Sequence, residues 1–290
     1  MRTYLADSHW FFNRCRLGIR GVLLAGGRLG PLFQPAEILM IAGAALGAFV
    51  ASNNSQSMRT TVRAFKRLRP ASGYGRALYM DLMGLLYELL TKARREGALA
   101  IESDIEDPSN SALFAAHPVA SADRLITDFI ADYLRLTATG SVGPVELDEL
   151  MLHEIEVFEL EYEVPVRSLH RTADAMPAFG IVAAVLGVVH ALSWASAGPD
   201  QLGSMIAHAL VGTFLGLFIG YGFIAPLGSR LERQGAEVVK VLQCIRVCLL
   251  ANIHGYAPRI AVEFGRKALF STERPTFLEL EAHVRGQHVI

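Results

Sequence analysis

Two long stretches without Asp, Glu, Lys or Arg constrain this chain more than any other feature. They run from Pro177 to Ala197 and from Met205 to Leu227, and only the segment GPDQLGS separates them. A helix needs about 20 apolar residues to cross a hydrocarbon layer about 30 Å thick, and both stretches reach that length. We therefore expect an antiparallel hairpin of membrane-spanning helices. A hydrophobic content of 52%, beside only 19% charged residues, supports a membrane protein.

A third apolar stretch, from Ile38 to Ala51, has 14 residues, a length that a buried helix of a soluble protein also reaches. The segment after it favours a membrane span, because residues 52 to 76 hold six basic side chains and no acidic one. Basic residues accumulate on the cytoplasmic side of membrane proteins. Basic residues also follow the last span, so both long polar parts of the chain are predicted to be cytoplasmic.

The N-terminal segment, residues 1 to 35, is atypical for a membrane protein with this orientation. An intracellular N-terminus requires one more span before Ile38, yet the segment carries Arg14, Arg16 and Arg20. Each charge near the centre of a membrane helix costs on the order of 2.5 to 3.5 kcal/mol on insertion scales. We expect a short, degenerate first helix from about Leu17 to Phe33.

The polar parts of the chain show helical periodicity. Apolar residues recur at helical spacing in residues 76 to 97, where Gly97 is a plausible stop, and again in residues 122 to 136. Residues 146 to 164 form a third helical segment, which is rich in carboxylates. No strand-like alternation competes, so the predicted fold is all-α.

The predicted protein is polytopic, with four transmembrane helices, of which the first is degenerate, and a large helical cytoplasmic domain. The predicted division is the atypical N-terminus (1–35), transmembrane helix 2 (36–52), a cytoplasmic helical domain (53–175), transmembrane helices 3 and 4 (176–228) and a cytoplasmic C-terminal helical region (229–290).

Sequence motifs for catalysis or cofactor binding are missing. The chain has no phosphate-binding loop, no HExxH zinc site and no GxSxG nucleophile motif. Its three cysteines form no CxxC pair, and Cys244 and Cys248, one helical turn apart, are better explained by packing. A net charge of −1 gives no support for nucleic-acid binding. We expect neither an enzyme nor a bound metal or cofactor.

Polar groups are few in the two long stretches: His190, Ser193, His208, Thr213 and Tyr221. Both histidines lie toward the outer ends of their helices, where an imidazole fits the membrane interface. Thr213 lies deeper, and two alternatives stay open for it: a hydrogen bond to its own backbone, or a place on an ion path. Because these stretches hold no carboxylate, the group that carries an ion is expected on a partner.

Small residues and prolines mark where the spans pack and bend. Gly212, Gly216 and Gly220 recur every four residues, the spacing of close helix packing, and suggest an oligomer. Pro177 fits either the first turn of a helix or a joint at the cytoplasmic face. Pro226 is followed by further helical pattern, so it should kink a continuing helix.

Seven runs of this sequence resemble, in order, the MotA family of bacterial flagellar motor stator A subunits. They are QPAE (34–37), IAGAALGAFVASNN, ALYMDLMGLLYELLTKARREGALAIESDIEDP, DYLRL, PAFGIVAAVLGVVHAL, IAHALVGTFLGLFIGYGFIAPL and GYAPRIAVEFGRKALFSTERPTF. The resemblance implies an inner-membrane protein with four spans that forms a pentamer around two MotB subunits. It also implies that MotB contributes the proton-carrying aspartate, and that the cytoplasmic domains push the rotor protein FliG.

The resemblance implies roles for individual positions. The rotor-facing arginine and glutamate of the family correspond to Arg94, in LLTKARREG, and Glu102, in AIESDIE. Its two functional prolines correspond to Pro177 and Pro226, and its channel threonine to Thr213. Without the resemblance, both charged residues would be assigned to a solvated helix face.

Two other functions compete with the stator hypothesis. An ExbB/TolQ-type energiser of envelope transport is a related ion-driven ring with three spans, although QPAE and the long segment before the hairpin favour the flagellar family. A structural membrane scaffold would explain the packing stripes, but it gives no reason for prolines at both cytoplasmic ends of the hairpin.

Overall fold

The structure is a computed structural model that describes residues 34–67, 74–194, 196 and 198–286. Within these ranges it contains helices and turns and no strand, which confirms the all-α prediction. The α-helices are α1 (Pro35–Ser52), α2 (Ser55–Arg67), α3 (Arg76–Glu96), α4 (Glu102–Glu106), α5 (Ala112–Ala116), α6 (Pro118–Ser121), α7 (Arg124–Thr139), α8 (Pro144–Ser193), α9 (Pro199–Ile219), α10 (Ala225–Ile253), α11 (Pro258–Ala268) and α12 (Phe277–Val284). A 3-10 turn covers Ala98–Ile101, and a π-helical turn covers Gly220–Ile224.

The described residues divide into two compact units. The apolar unit contains residues 34–67 and 162–233, and the helical unit contains residues 74–161 and 234–286. Because of their length, α8 and α10 each contribute residues to both units.

Three helical segments are long and apolar enough to cross a membrane: Pro35–Ser52, Pro144–Ser193 and Pro199–Ile253. They contain the apolar stretches Ile38–Ala51 and Met205–Leu227 completely and the stretch from Pro177 to Ala197 as far as Ser193. The first of them, α1, has 18 residues, because the helix begins at Pro35 rather than at Ile38. The predicted first span, from about Leu17 to Phe33, lies outside the described residues.

The apolar unit is built on close contact between α8 and α9. A Cβ atom added to Gly216 would lie 2.6 Å from the carbonyl oxygen of Met176 and 3.0 Å from the Cα atom of Gly180. At Gly180, an added Cβ would lie 2.8 Å from the carbonyl oxygen of Gly212. Helix backbones approach this closely only where side chains are absent. The predicted role of the glycine stripe in packing is confirmed.

One alternative for Pro177 is wrong: it does not begin a helix. α8 continues from Pro144 to Ser193 and contains both Pro165 and Pro177 in its interior. A proline removes one helical hydrogen bond, but packing on both sides of it can keep the helix intact. Met176 and Ala173, the neighbours of this proline on α8, are both buried, which supports that reason here.

The helical unit has α3 at its centre. Five of its side chains are completely buried: Leu82, Met83, Leu85, Leu86 and Leu89. They belong to one continuous core together with buried residues of α7, α10, α11 and the N-terminal part of α8. A helix that is apolar on most of its surface requires such neighbours on several sides.

Cys244 and Cys248 are part of this core rather than of a reactive site. Both thiols are free and buried, and they pack against Gly265 of α11. A hydrogen bond with Cys244 and, secondarily, burial raise the pKa of the Cys248 thiol well above its ordinary value. Cys248 therefore remains a protonated, unreactive thiol. The assignment of the pair to packing is confirmed.

The contact between α8 and α9 can be tested with Gly216→Ala. The new methyl group meets backbone atoms that cannot rotate away, so we expect a loss of about 1–3 kcal/mol, the usual cost of overpacking. Thermal unfolding of the detergent-solubilised protein would measure it. Gly203→Ala, in the same helix but with no atom within 4 Å of the added Cβ, is the matched control. Equal unfolding temperatures for the two variants would contradict the described contact.

Candidate functional site

The two prolines predicted as joints are linked through the π-helical turn. A Cβ atom added to Gly220, the first residue of that turn, would lie 3.5 Å from Cδ of Pro177. Pro226 follows as the second residue of α10. A proline ring clashes with the carbonyl group four residues earlier, which here belongs to Gly222 inside the wider π-helical turn. The helix thus departs from α-helical geometry directly before Pro226, at the carbonyl group with which the proline ring would otherwise clash.

Pro177 leaves a backbone acceptor without its usual donor. In a regular helix, the N–H of residue 177 would donate to the carbonyl of Ala173, and proline has no N–H. Gly220 lies against this carbonyl, since an added Cβ would be 2.7 Å from its oxygen. The place where α8 lacks one backbone hydrogen bond and the π-helical turn therefore meet at one level of the apolar unit, which we call the hinge level (Ala173, Pro177 and Gly220).

Thr213 lies about one helical turn along α8 from the hinge level. Its Cα atom is 3.2 Å from the Cβ position of Gly180, and its side chain is half-buried. The structure does not show the backbone hydrogen bond that was one alternative for this residue. Among the described residues, the Thr213 hydroxyl has no hydrogen-bond partner, whereas the Thr172 hydroxyl donates to the carbonyl of Ser168 at 2.8 Å. The Thr213 hydroxyl is thus available to another group.

His190 is an exposed side chain close to the C-terminal end of α8. It lies edge-on to the indole of Trp194, with 6.4 Å between the ring centroids. Tryptophan is enriched at the boundary between lipid and water.

Sequence reasoning missed one polar group in the apolar unit, Glu37. This glutamate lies in the first turn of α1, and its Oε2 atom is buried without a hydrogen-bond partner among the described residues. The signal was present, because the QPAE run ends in a carboxylate just before an apolar stretch.

Arg94 is an exposed residue that is held in place by the backbone. It lies in the last turn of α3, and its Nη1 donates to the carbonyl of Tyr256 at 2.9 Å and to that of Gly255 at 3.4 Å. Its neighbour Arg95 is also exposed, and it makes no hydrogen bond or ion pair to a described residue. The two guanidinium groups thus differ in how firmly they are positioned.

Glu102 begins α4 and is also exposed. The chain turns between α3 and this helix at Gly97, whose φ of 94° is readily accessible only to glycine. No ion pair joins Arg94 to Glu102 in the described part of the chain, and both side chains are exposed.

An ion pair supports the connection that carries these two charges. Lys92 donates to Asp104 at 2.7 Å, and Asp104 also accepts from the Ser111 hydroxyl at 2.6 Å. The hydrogen bond to Asp104 raises the pKa of the Lys92 ammonium above its ordinary value. Since Lys92 lies two residues before Arg94 and Asp104 two residues after Glu102, we infer that this pair positions both exposed charges.

A depression of about 260 Å³ lies beside Arg94. Its lining is mainly apolar, with Leu90, Ala93, Ile101 and Leu134 among the lining residues and Arg94 itself at the same surface. An apolar depression next to a fixed positive charge can receive a side chain of a partner that also carries a carboxylate.

Asp104→Asn tests this support. The change removes one charge of the Lys92 pair, and we expect the free energy of unfolding to fall by about 1 kcal/mol. Because folding raises the Lys92 pKa, the contribution of the pair is complete below the unfolded lysine pKa of about 10.4 and is lost as the pH rises through the raised value.

Denaturant titrations of the purified protein at neutral and strongly alkaline pH would measure this difference. In the matched background, Lys92→Met, the effect of Asp104→Asn should disappear. A difference that persists in that background would show that the hydrogen bond between Ser111 and Asp104, rather than the ion pair, accounts for the loss.

Two family models match the chain. The model for the N-terminal part of motility protein A covers residues 17–97, and the MotA/TolQ/ExbB proton channel family covers residues 121–243. Motility protein A of Salmonella typhimurium is 51% identical over 266 residues, which are 92% of this chain and 90% of that protein. The chain belongs to the motility protein A family. Motility protein A of Escherichia coli is 52% identical with the same coverage.

Solved structures show the same fold. The structure of C. jejuni MotAB aligns with a TM-score of 0.78 at 21% identity, covering 93% of this chain and 98% of that one. The flagellar MotAB stator complex from Bacillus subtilis aligns with a TM-score of 0.69 at 23% identity, covering 91% and 94%.

These findings confirm the resemblance and favour the flagellar family over an ExbB/TolQ-type energiser, since the N-terminal match is specific to motility protein A. A motility protein A is an inner-membrane component of the flagellar stator and is not an enzyme.

Proposed function

We propose that this stator subunit works with a MotB-type partner, whose aspartate carries protons, and turns ion-motive force into torque on the rotor protein FliG. The observation that carries the proposal is the combination of close similarity to motility protein A with two long spans that hold no acidic residue. The MotAB complexes of similar fold support a partner of this type and an assembly of several chains. We further propose a homopentamer around a dimer of the partner.

The membrane topology is part of the proposal. Four spans are proposed: one at about residues 17–33, α1, the apolar part of α8, and α9 with the turn that follows it. The basic residues after α1 and after the hairpin support cytoplasmic positions for residues 53–175 and 229–290.

Torque is proposed to be delivered at Arg94 and Glu102. Both are exposed and unpaired with each other, and Arg94 is fixed by two backbone carbonyls beside an apolar depression. Exposed ion pairs contribute about 0.2–1 kcal/mol each, which suits contacts that form and break at every step.

Conformational coupling is proposed to act at the hinge level, with Thr213 lining the ion path near it. Pro177 removes one backbone hydrogen bond from α8, and the π-helical turn before Pro226 lies beside it. Prolines and π-helical turns are where helices bend. α8 and α10 are continuous through both units, so a bend near the hinge level can be passed along the chain.

Charge reversal tests the rotor contact. Arg94→Glu or Glu102→Lys should leave the chain in the membrane with its partner but weaken swimming, because attraction to the rotor becomes repulsion. Motility in a host without its own stators, together with co-purification of the partner, would measure both effects. Arg124→Glu, at a side chain of α7 that is 92% exposed, is the matched control. Normal swimming of the double reversal would count against these contacts.

Pro177→Ala tests the hinge level. Alanine supplies the N–H that the Ala173 carbonyl lacks, so the helix should become stiffer and no less stable. We expect intact assembly and slower rotation, measured as the speed of beads tethered to flagella. Pro165→Ala, another interior proline of α8, provides the comparison. If both variants slow rotation equally, the effect belongs to helix flexibility in general.

A further inference from the structure

We propose that Glu37 is a second proton-exchanging carboxyl group of the stator, carried by this subunit itself inside the membrane. The proposal rests on the proposed function, since it adds a site to the same ion path. The exchange forms one O–H bond on the carboxylate when a proton arrives and breaks that bond when the proton leaves, without redox chemistry.

Glu37 differs in charge from the rest of the spans. Among α1 and the two stretches from Pro177 to Ala197 and from Met205 to Leu227, it is the single Asp, Glu, Lys or Arg residue. Ionisable residues within membrane segments are costly, face the interior of a bundle or a water-filled cavity, and mark ion pathways.

The carboxyl group of Glu37 lies against both helices of the hairpin. A Cβ atom added to Gly212 of α9 would be 2.7 Å from its Oε2, and a Cβ added to Gly187 of α8 would be 3.6 Å from its Oε1. Gly212 therefore provides the space that the carboxyl group occupies, whereas an added Cβ at Gly187 would touch it only at an ordinary contact distance. A larger residue at Gly212 would displace the carboxyl group.

The depth of this position follows from the sequence. Gly187 lies ten residues after Pro177 and six residues before Ser193, where α8 ends, which is about 15 Å of helix on one side and about 9 Å on the other. A carboxyl group beside Gly187 is thus within the apolar part of the hairpin, on the side nearer the connection between α8 and α9.

The environment favours a neutral acid. The Oε2 atom is buried and has no hydrogen-bond partner among the described residues. An ionised carboxylate without a partner at this depth costs several kcal/mol, and proton uptake removes that cost. Release of the proton then requires a change in surroundings, such as bending of α8 or the approach of a partner's acceptor.

The titratable neighbours lie toward the connection between α8 and α9. They are His190, three residues after Gly187, and His208 and Asp200, both before Gly212 on α9. On the other side of Glu37, the next titratable residue of α8 toward its N-terminus is Asp174. None of the four forms a hydrogen bond or ion pair with Glu37 in the described structure.

The protonation state can be tested directly by infrared spectroscopy of the full chain with its partner in lipid vesicles. We expect the carbonyl stretch of a protonated carboxyl group at neutral pH, its loss in Glu37→Gln and its retention in Glu159→Gln, a control at an exposed carboxylate. Gly212→Ala should shift this band, whereas Gly203→Ala, in the same helix with open space around it, should not. A spectrum unchanged by Glu37→Gln would overturn the proposal.

The role in transport needs a second measurement, proton uptake into the same vesicles. Glu37→Gln keeps the size of the side chain but cannot exchange a proton at neutral pH, so uptake should fall about tenfold or more. Glu37→Asp should recover part of it. Wild-type uptake by Glu37→Gln would overturn the proposal even if the infrared band is present, because the carboxyl group would then be structural.

The two measurements also separate this proposal from the proposed function. If the wild-type chain with its partner conducts no protons, the proposed function fails. The infrared titration still decides about Glu37 in that case: a band that disappears reversibly as the pH rises supports proton exchange, and a band absent at every pH overturns it.

Discussion

Close contact between the backbones of α8 and α9 is the constraint on which the apolar unit depends. Lipid tails are as apolar as leucine, so the hydrophobic effect does little to hold membrane helices together, and packing must do so. Gly180, Gly212 and Gly216 let the two helices approach until backbone atoms touch. The same narrow spacing brings Gly220 against the Ala173 carbonyl and creates the recess that Glu37 enters.

Periodicity and apolar length were sufficient to predict the architecture. The all-α class, the hairpin and the central helix of the polar part follow from hydrophobic patterns that can be seen within short windows of the sequence. The continuity of α8 could not be predicted in this way. Helix propensity alone predicts that a proline does not lie inside a helix. Here Ala173 and Met176 are buried by residues that are distant in the sequence, and this packing overrides the propensity.

The candidate site was predictable to a different degree at each residue. The family resemblance indicated Arg94 and Glu102, but the sequence held no sign that the first is fixed by carbonyls of Gly255 and Tyr256, about 160 residues later in the chain. Glu37 was overlooked for the opposite reason. Its charge was visible, but its burial between two glycines is a property of three helices together.

The π-helical turn at Gly220–Ile224 has a consequence for how sequences of this family are read. A π-helical turn holds one residue more than an α-helical turn, and one residue corresponds to about 100° of rotation around a helix axis. The side chains of α10 are therefore out of phase with those of α9 by roughly a quarter of a turn. A single helical wheel drawn through both would assign lipid-facing and buried positions wrongly on one side of Gly220.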